Sequence, residues 1–366
     1  MSIVIGSGLL LVIVIGVLFL YLSPEFGGSP SLEQKRVFVK SPNYVNGKFI
    51  NKGNVKLDMS MRDMGKSLAG FFGPIPHTKP SRDIPVSKLD SLDIVKYQDS
   101  TRLIWFGHSA FLLQMSNKTI LIDPMFGKVP APHPILGSNR FSKELPIDVE
   151  KLPKIDIVLI SHDHYDHLDY GTIQKLRHKV NMFYTPLGVG AHLQKWGVEK
   201  ERIVELDWWE EVTHEGLVFG CTPAQHFSGR GFSDRASTLW SSWVIRSEMD
   251  NIFFSGDSGY GPHFKEIGDK YGPFDFAMIE CGQYNEMWPD IHMFPEQTAQ
   301  AGLDIGAKRI MPIHWGAFKL AMHPWTEPVE RVTNRSKELN LEVITPRIGE
   351  PVNLHRLEET TSPWWE

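Results

Sequence analysis

Nine consecutive residues, Ser161-His162-Asp163-His164-Tyr165-Asp166-His167-Leu168-Asp169, hold three histidines and three aspartates. His162 and His164 are two apart, so a short extended turn aims both at one point. Asp166 and His167 follow directly and serve a second point as the chain enters a helix. Desolvating so many polar rings and a carboxylate without a partner would be costly. Imidazole with carboxylate suits Zn²⁺ ahead of Fe or Mn. The competing reading is a solvated, His-rich loop. The clustering of ligand types directly after the apolar run IDIVLI (155–160) favours metal.

Composition supports a His/Asp site over a Cys site. The 366 residues include 15 His but only 2 Cys. Cys221 and Cys281 cannot build a disulfide framework or a Cys-rich zinc module, and their apolar contexts make them reduced core residues. Hydrophobic residues are 42% and charged residues 22%, which are globular values. The net charge of −5 argues against a nucleic-acid partner.

The elements that must position the motif are short β-rich runs: 102–106, 110–115, 119–124, 155–161, 217–221, 239–246, 251–257, 274–280 and 309–314. Helical patterns lie near 170–178, 187–196, 295–305 and 326–338, so the fold class is α/β in stacked layers. Residues 2–22 carry no charge and as a helix would span roughly 32 Å, enough for a bilayer core. They are expected to form an uncleaved, single-pass N-terminal transmembrane helix, the alternative being a signal-peptide segment. Lys35, Arg36 and Lys40 on the C-terminal flank then place the globular part in the cytoplasm. Residues 23–99 form a linker and an extension packing on the core, 100–350 the catalytic domain and 351–366 a tail.

The motif reads H-x-H-x-D-H, and on it the chain resembles the metallo-β-lactamase-fold hydrolases. The resemblance covers roughly residues 100–350 and implies a four-layer αββα sandwich with two metals at the strand ends. It also implies further ligands, met by His226 in PAQHFSGR, Asp257 in FFSGDSGY and His314 in IMPIHWG. His162, His164 and His226 would hold one metal, and Asp166, His167 and His314 the other. Asp257 would bridge both. Two cations about 3.5–4 Å apart share a hydroxide and neutralise charge on a phosphoryl or carbonyl oxygen.

Further stretches narrow the resemblance: WFGHSAFLLQ (105–114), LIDPMF (121–126), DRASTLWSSWVI (234–245), IECGQYNE (279–286), IHMFPEQTAQAG (291–302) and SPNYVNGKFIN (41–51). These are similar to the N-acylphosphatidylethanolamine phospholipase D family and its bacterial relatives. The similarity implies two zinc ions, a phospholipid substrate met at a membrane, and a homodimer as in animal relatives. A metal-bridging hydroxide would release N-acylethanolamine and phosphatidic acid. The alternative is a dinuclear hydrolase of a lactone or of a sugar or cyclic phosphodiester. Asp166 and Asp257 would be catalytic through the metals. His292 matches the family's His before Pro-Glu and would contact a phosphate oxygen or protonate the leaving oxygen; otherwise it is a surface residue at a helix start. His108 either stands behind the metals or serves a packed turn. Asp123 would orient the metal loop. Gln225 and Arg230 would shape the rim, with Arg230 or Arg235 pairing a phosphate or merely solvated. Animal relatives lack a segment like 2–22 and differ at Phe227 and Ser228, which puts lipid preference in doubt.

Overall fold

In the computed structural model the described residues are 14, 16–20, 22–53, 55, 65, 73, 75–98, 100–356 and 363–366. The helix α1 (Leu32–Phe38) is started by Ser31, whose side chain accepts from Gln34 N while Gln34 reaches back to Ser31 N. A small hairpin, β1 (Tyr44–Val45) and β2 (Lys48–Phe49), follows it, and then α2 (Ser91–Lys96).

Two seven-stranded sheets carry the body. The first holds β3 (Arg102–Trp105), β4 (Phe111–Met115), β5 (Lys118–Ile122), β6 (Ile155–Leu159), β7 (Val180–Pro186) and β8 (Ile203–Leu206). It opens antiparallel, with Ile104 opposite Leu112, and turns parallel from β5 on, with Ile157 beside Met182. Parallel neighbours need crossovers: the segment 123–154 joins β5 to β6, and α3 (Tyr170–Leu176) and α4 (Gly190–Lys195) supply the next two. The second sheet holds β9 (Glu211–His214), β10 (Leu217–Thr222), β11 (Ser242–Arg246), β12 (Asn251–Phe254), β13 (Phe276–Glu280), β14 (Arg309–Ile313) and β15 (Glu342–Val343). Its crossovers are α5 (His263–Tyr271), α6 (Pro295–Asp304) and α7 (Glu327–Glu338). Last, β16 (Pro351–Asn353) returns to the edge of the first sheet beside β3.

Strand alternation explains the layering. Leu103, Trp105, Phe111, Leu113, Ile120, Ile157 and Leu159 face Phe219, Trp243, Ile245, Phe254, Met278 and Ile313 of the other sheet in one buried cluster. The alternate residues Ile104, Leu112, Leu121 and Val158 pack outward on Ile173, Leu176 and Leu193. Val244, Phe253, Ala277 and Ile279 do the same on Phe264, Ile267, Ala299 and Val332. Each sheet therefore buries both faces, and the result is an αββα sandwich. Cys221 and Cys281 are free thiols buried in it.

The expected membrane helix is corrected. Among the described residues no helix is long and apolar enough to cross a membrane. With the single-pass anchor falls the placement of the domain on the cytoplasmic side. Residues 2–13, 15 and 21 of the uncharged run lie outside the described residues. The described part is helical only to Leu22 and leads straight onto the body. Phe19 packs edge-on against Phe26 and His133, a contact with the protein's own loops.

Candidate metal centre

The loops following the strands of both sheets meet at one end of the sandwich. His162, His164, Asp166 and His167 follow β6, His226 follows β10, Asp257 follows β12 and His314 follows β14. The H-x-H-x-D-H loop is anchored from both sides. Asp169 caps α3 by accepting from Thr172 N at 2.7 Å. Asp163 accepts from Gly229 N and Thr238 Oγ1, each at 2.8 Å, and pairs with His192 Nε2 at 3.2 Å.

The structure brings together all seven residues expected as ligands. His162, His164 and His226 converge in one group, and Asp166, His167 and His314 in a second with His108. Asp257 lies with His162 and His167 on one side and with His226 and His292 on the other. His162 Nε2 is 2.9 Å from His164 Nδ1, which is 3.2 Å from His226 Nε2. The outer nitrogens are already committed. His226 Nδ1 donates to Ile291 O at 3.0 Å, and His162 Nδ1 is 3.0 Å from Ser161 Oγ. Tautomers fixed in this way leave the inner nitrogens turned on one another.

Two observations test whether a cation fits. His167 Nε2 and Asp257 Oδ1 lie 3.1 Å apart, yet both are buried atoms without a hydrogen-bond partner. Orphaned buried polar atoms are rare in folded proteins and call for an ion or water. The charge pattern agrees. Burial holds His162, His226 and His314 well below the usual imidazole range, and holds His164 down to about 4. Neutral imidazole is the ligand form. Against burial, which pulls it down, Asp257, Asp166 and Asp123 hold His167 well above that range. Three carboxylates around this ring thus ask for positive charge. Burial pushes Asp257 up to about 7. The residues present fit a bound metal.

The supporting residues are placed as follows. Asp123 is fully buried and accepts from Ser161 N at 2.7 Å, Ser161 Oγ at 2.5 Å and His167 Nδ1 at 2.7 Å. His108 Nε2 donates to Asp166 Oδ2 at 2.8 Å, and its ring lies 4.1 Å from that of His314. His108, Asp123 and His314 all have positive φ, 57°, 40° and 67°. Such conformations cost about 1–3 kcal/mol each and need the surroundings to enforce them. Backbone bonds do so here: His108 N donates to Trp315 O and His314 N to His108 O, each at 3.1 Å. Gln225 ties two rim loops, donating to Asp290 O at 2.8 Å and Tyr260 O at 3.4 Å.

Arg230 is not on the rim. Its guanidinium is buried, donates to Asp163 O, Leu168 O and Glu25 O, and lies 4.1 Å from the Tyr165 ring centre. It fastens the metal loop from beneath, with its charge turned inward. Arg235 lies over the Phe227 ring. Of the tryptophans, Trp208 and Trp315 are core, and Trp315 stacks on Trp364.

His292 enters the centre between His226 and His314, at 5.0 and 5.3 Å between ring centres. Its Nδ1 donates to Glu280 Oε1 at 2.5 Å. Glu280 escaped the sequence reading, although a carboxylate closing the apolar strand FAMIE was a visible signal. Asn51 was missed too. It accepts from His226 N at 3.1 Å and donates to His226 O at 2.8 Å, so the N-terminal extension grips a ligand loop. No periodicity in that polar region marks it.

The Beta-lactamase superfamily domain is matched over residues 118–315. An uncharacterized protein of Mycobacterium tuberculosis is 37% identical over 359 residues, covering 94% of this chain and 92% of that protein. The N-acyl-phosphatidylethanolamine-hydrolyzing phospholipase D 1 of Caenorhabditis elegans is 31% identical over 228 residues, 59% of this chain and 64% of the nematode protein. Among solved structures, a metallo hydrolase from the archaeon Ignicoccus hospitalis has a TM-score of 0.52 at 21% identity, covering 69% of this chain and 98% of that one; the likeness is one of fold.

Proposed function

This chain belongs to the metallo-β-lactamase superfamily of metal-dependent hydrolases, and from that premise we propose that it is a zinc phosphodiesterase of phospholipase D type. Its substrate would be an N-acylphosphatidylethanolamine-like phospholipid, cleaved to N-acylethanolamine and phosphatidic acid, with residues 100–350 as the catalytic unit. The observation that carries this reading is the paired, all-nitrogen-and-oxygen donor set joined through Asp257, with His292 beside it. The nematode relative's phospholipase D activity adds support for the substrate class.

His162, His164 and His226 would hold one zinc, Asp166, His167 and His314 a second, and Asp257 would touch both. Bound there, zinc supplies Lewis acidity toward a phosphoryl oxygen and makes water more acidic. The chain's own residues do the rest. Asp123 keeps His167 in the tautomer whose Nε2 faces the centre. His108 holds Asp166 by one oxygen. His292 has Nδ1 engaged, so Nε2 is the atom that would move a proton at the leaving oxygen, an effect typically of about 10²–10⁴-fold.

The test is release of N-acylethanolamine from vesicles containing N-acylphosphatidylethanolamine by the zinc-loaded full chain, followed by mass spectrometry. Product should form, stop on chelation and be absent with His164→Ala. Turnover no greater than that of His164→Ala would refute the lipid assignment. Activity confined to a lactone or a cyclic phosphodiester in a parallel panel would replace it with that substrate.

A further inference from the structure

Glu280 stands where three parts of the centre cross. It closes β13 and pairs in register with Ile313, the residue before His314. Its carboxylate is fully buried. Oε2 accepts from Ser258 N at 3.2 Å, next to Asp257, and from Met293 N at 3.3 Å. Oε1 accepts from His292 Nδ1 at 2.5 Å. The backbone of Glu280 is held as well, its N–H by Ser255 Oγ at 2.9 Å and its carbonyl by Thr298 Oγ1 at 2.7 Å. Burying a carboxylate is costly unless donors meet it. Here three N–H groups do, and among the described residues its ion-pair partner is His292, with no Lys or Arg.

We infer that Glu280 is the positioning residue for His292: it seals Nδ1, fixes the ring between His226 and His314, and leaves Nε2 as the one nitrogen facing the reacting centre. A buried carboxylate needs a donor on each oxygen: two backbone N–H groups meet Oε2, and Oε1 is left for a side chain. That side chain is His292, which like His108 stands at the centre without belonging to either proposed triad of ligands. The same carboxylate ties Ser258, so the Asp257 loop and the His292 loop share one anchor. The inference rests on the reading that His292 moves a proton during hydrolysis. It adds a carboxylate–imidazole pair to that reading and predicts that the two residues act as one unit.

The experiment uses the zinc-loaded full chain and has two arms. In the first, proton spectra of ¹⁵N-histidine-labelled protein should show a strongly deshielded Nδ1 proton that disappears in both His292→Gln and Glu280→Gln. In the second, hydrolysis of bis(p-nitrophenyl) phosphate is followed with zinc content as a control. Glu280→Gln should lower kcat by about 10²-fold, the low end of a general-acid effect, with KM changed less than about threefold and zinc retained. Glu280→Asp should recover part of kcat. In a His292→Gln background, Glu280→Gln should add nothing.

A His292 signal that persists in Glu280→Gln would overturn the inference. So would an equal fall in kcat from Glu280→Gln with and without His292. If Glu280→Gln does not fold, Glu280→Asp and the His292→Gln double variant decide by the same criteria. If the wild-type chain leaves the diester intact, the phosphodiesterase reading fails, and the spectral arm still decides for or against Glu280.

Discussion

Gly282→Ala is the most informative single change, because its effect follows from one distance. Gly282 lies two residues past β13, against the chain that leaves β14. A Cβ on it would stand 2.0 Å from His314 O, 2.7 Å from His314 C and 3.2 Å from Trp315 N. Ordinary contact begins near 3.4 Å, so backbone must give by about 1.4 Å, and no flexible side chain is there to absorb it. His314 has little room to move. It sits at φ 67°, its N donates to His108 O, and its O accepts from Gln283 Nε2. Overpacking of this kind costs roughly 1–3 kcal/mol. At about 2–4 °C per kcal/mol for a domain of this size, Tm should fall by roughly 2–12 °C. The displaced group is a proposed ligand, and a 1 Å error at such a site costs on the order of 10²-fold in rate. Thermal unfolding with chelator measures the strain alone, and with zinc it adds the damage to binding. Gly171→Ala is the control. Its Cβ would meet only Asp169 Oδ2, at 3.5 Å, and it lies in α3. It should be neutral or stabilising by up to about 1 kcal/mol. A Gly282→Ala protein with wild-type Tm, zinc content and kcat would refute the reasoning, because the contact would then be one the backbone relieves freely.

Further outcomes follow from the same contacts. Asp123→Asn turns an amide N–H₂ toward donors from Ser161 and His167, and should weaken zinc binding by about 10–100-fold in a competition titration; unchanged affinity would count against an orienting role. Arg230→Met strips donors from Asp163 O, Leu168 O and Glu25 O and should cost about 2–4 kcal/mol in denaturant unfolding; a loss below 0.5 kcal/mol would show the loop held by other means (the threshold is about the scatter of surface substitutions). His263 is buried against Phe264, and burial lowers it to about 3. Its folded pKa is depressed, so the unfolded chain takes the proton first. Stability from this group is complete above about pH 6.5 and is lost as pH falls toward 3, at about 1.4 kcal/mol per unit. His263→Gln should therefore flatten the acid limb of a Tm-against-pH curve between pH 6.5 and 5, and an unaltered slope would reject this assignment.

How much was legible depended on whether the cause was local. The apolar runs at 155–160 and 274–280 became β6 and β13 because burial on both faces writes itself into the sequence as a near-continuous apolar run. His162 through His167 could be read because their spacing is itself the geometry. His226, Asp257 and His314 needed a family pattern, since nothing in their own neighbourhoods says that three distant loops meet. Arg230 defeated the reading because an arginine after Ser-Gly looks exposed, and only the fold shows Tyr165 and three carbonyls waiting for it. Residues 2–22 were judged on charge, length and flanking residues, which cannot register a contact such as Phe19 with His133. Glu280 and Gly282 matter through a neighbouring strand, a relation that a linear chain does not display.

The grip of Asn51 on His226 also has a consequence for biosynthesis. The two residues are 175 positions apart. At roughly 5–20 residues per second, Asn51 is made about 9–35 s before its partner. Pro24 O waits in the same way for Trp196 Nε1, and Gly28 N for His192. This segment is therefore made well before the residues it contacts. During that interval the nascent chain holds a polar strap with nothing to bind, and the metal-ligand loops lack their N-terminal brace until the strap returns. The brace on the His226 loop thus depends on a long-range return of the chain and not on local structure.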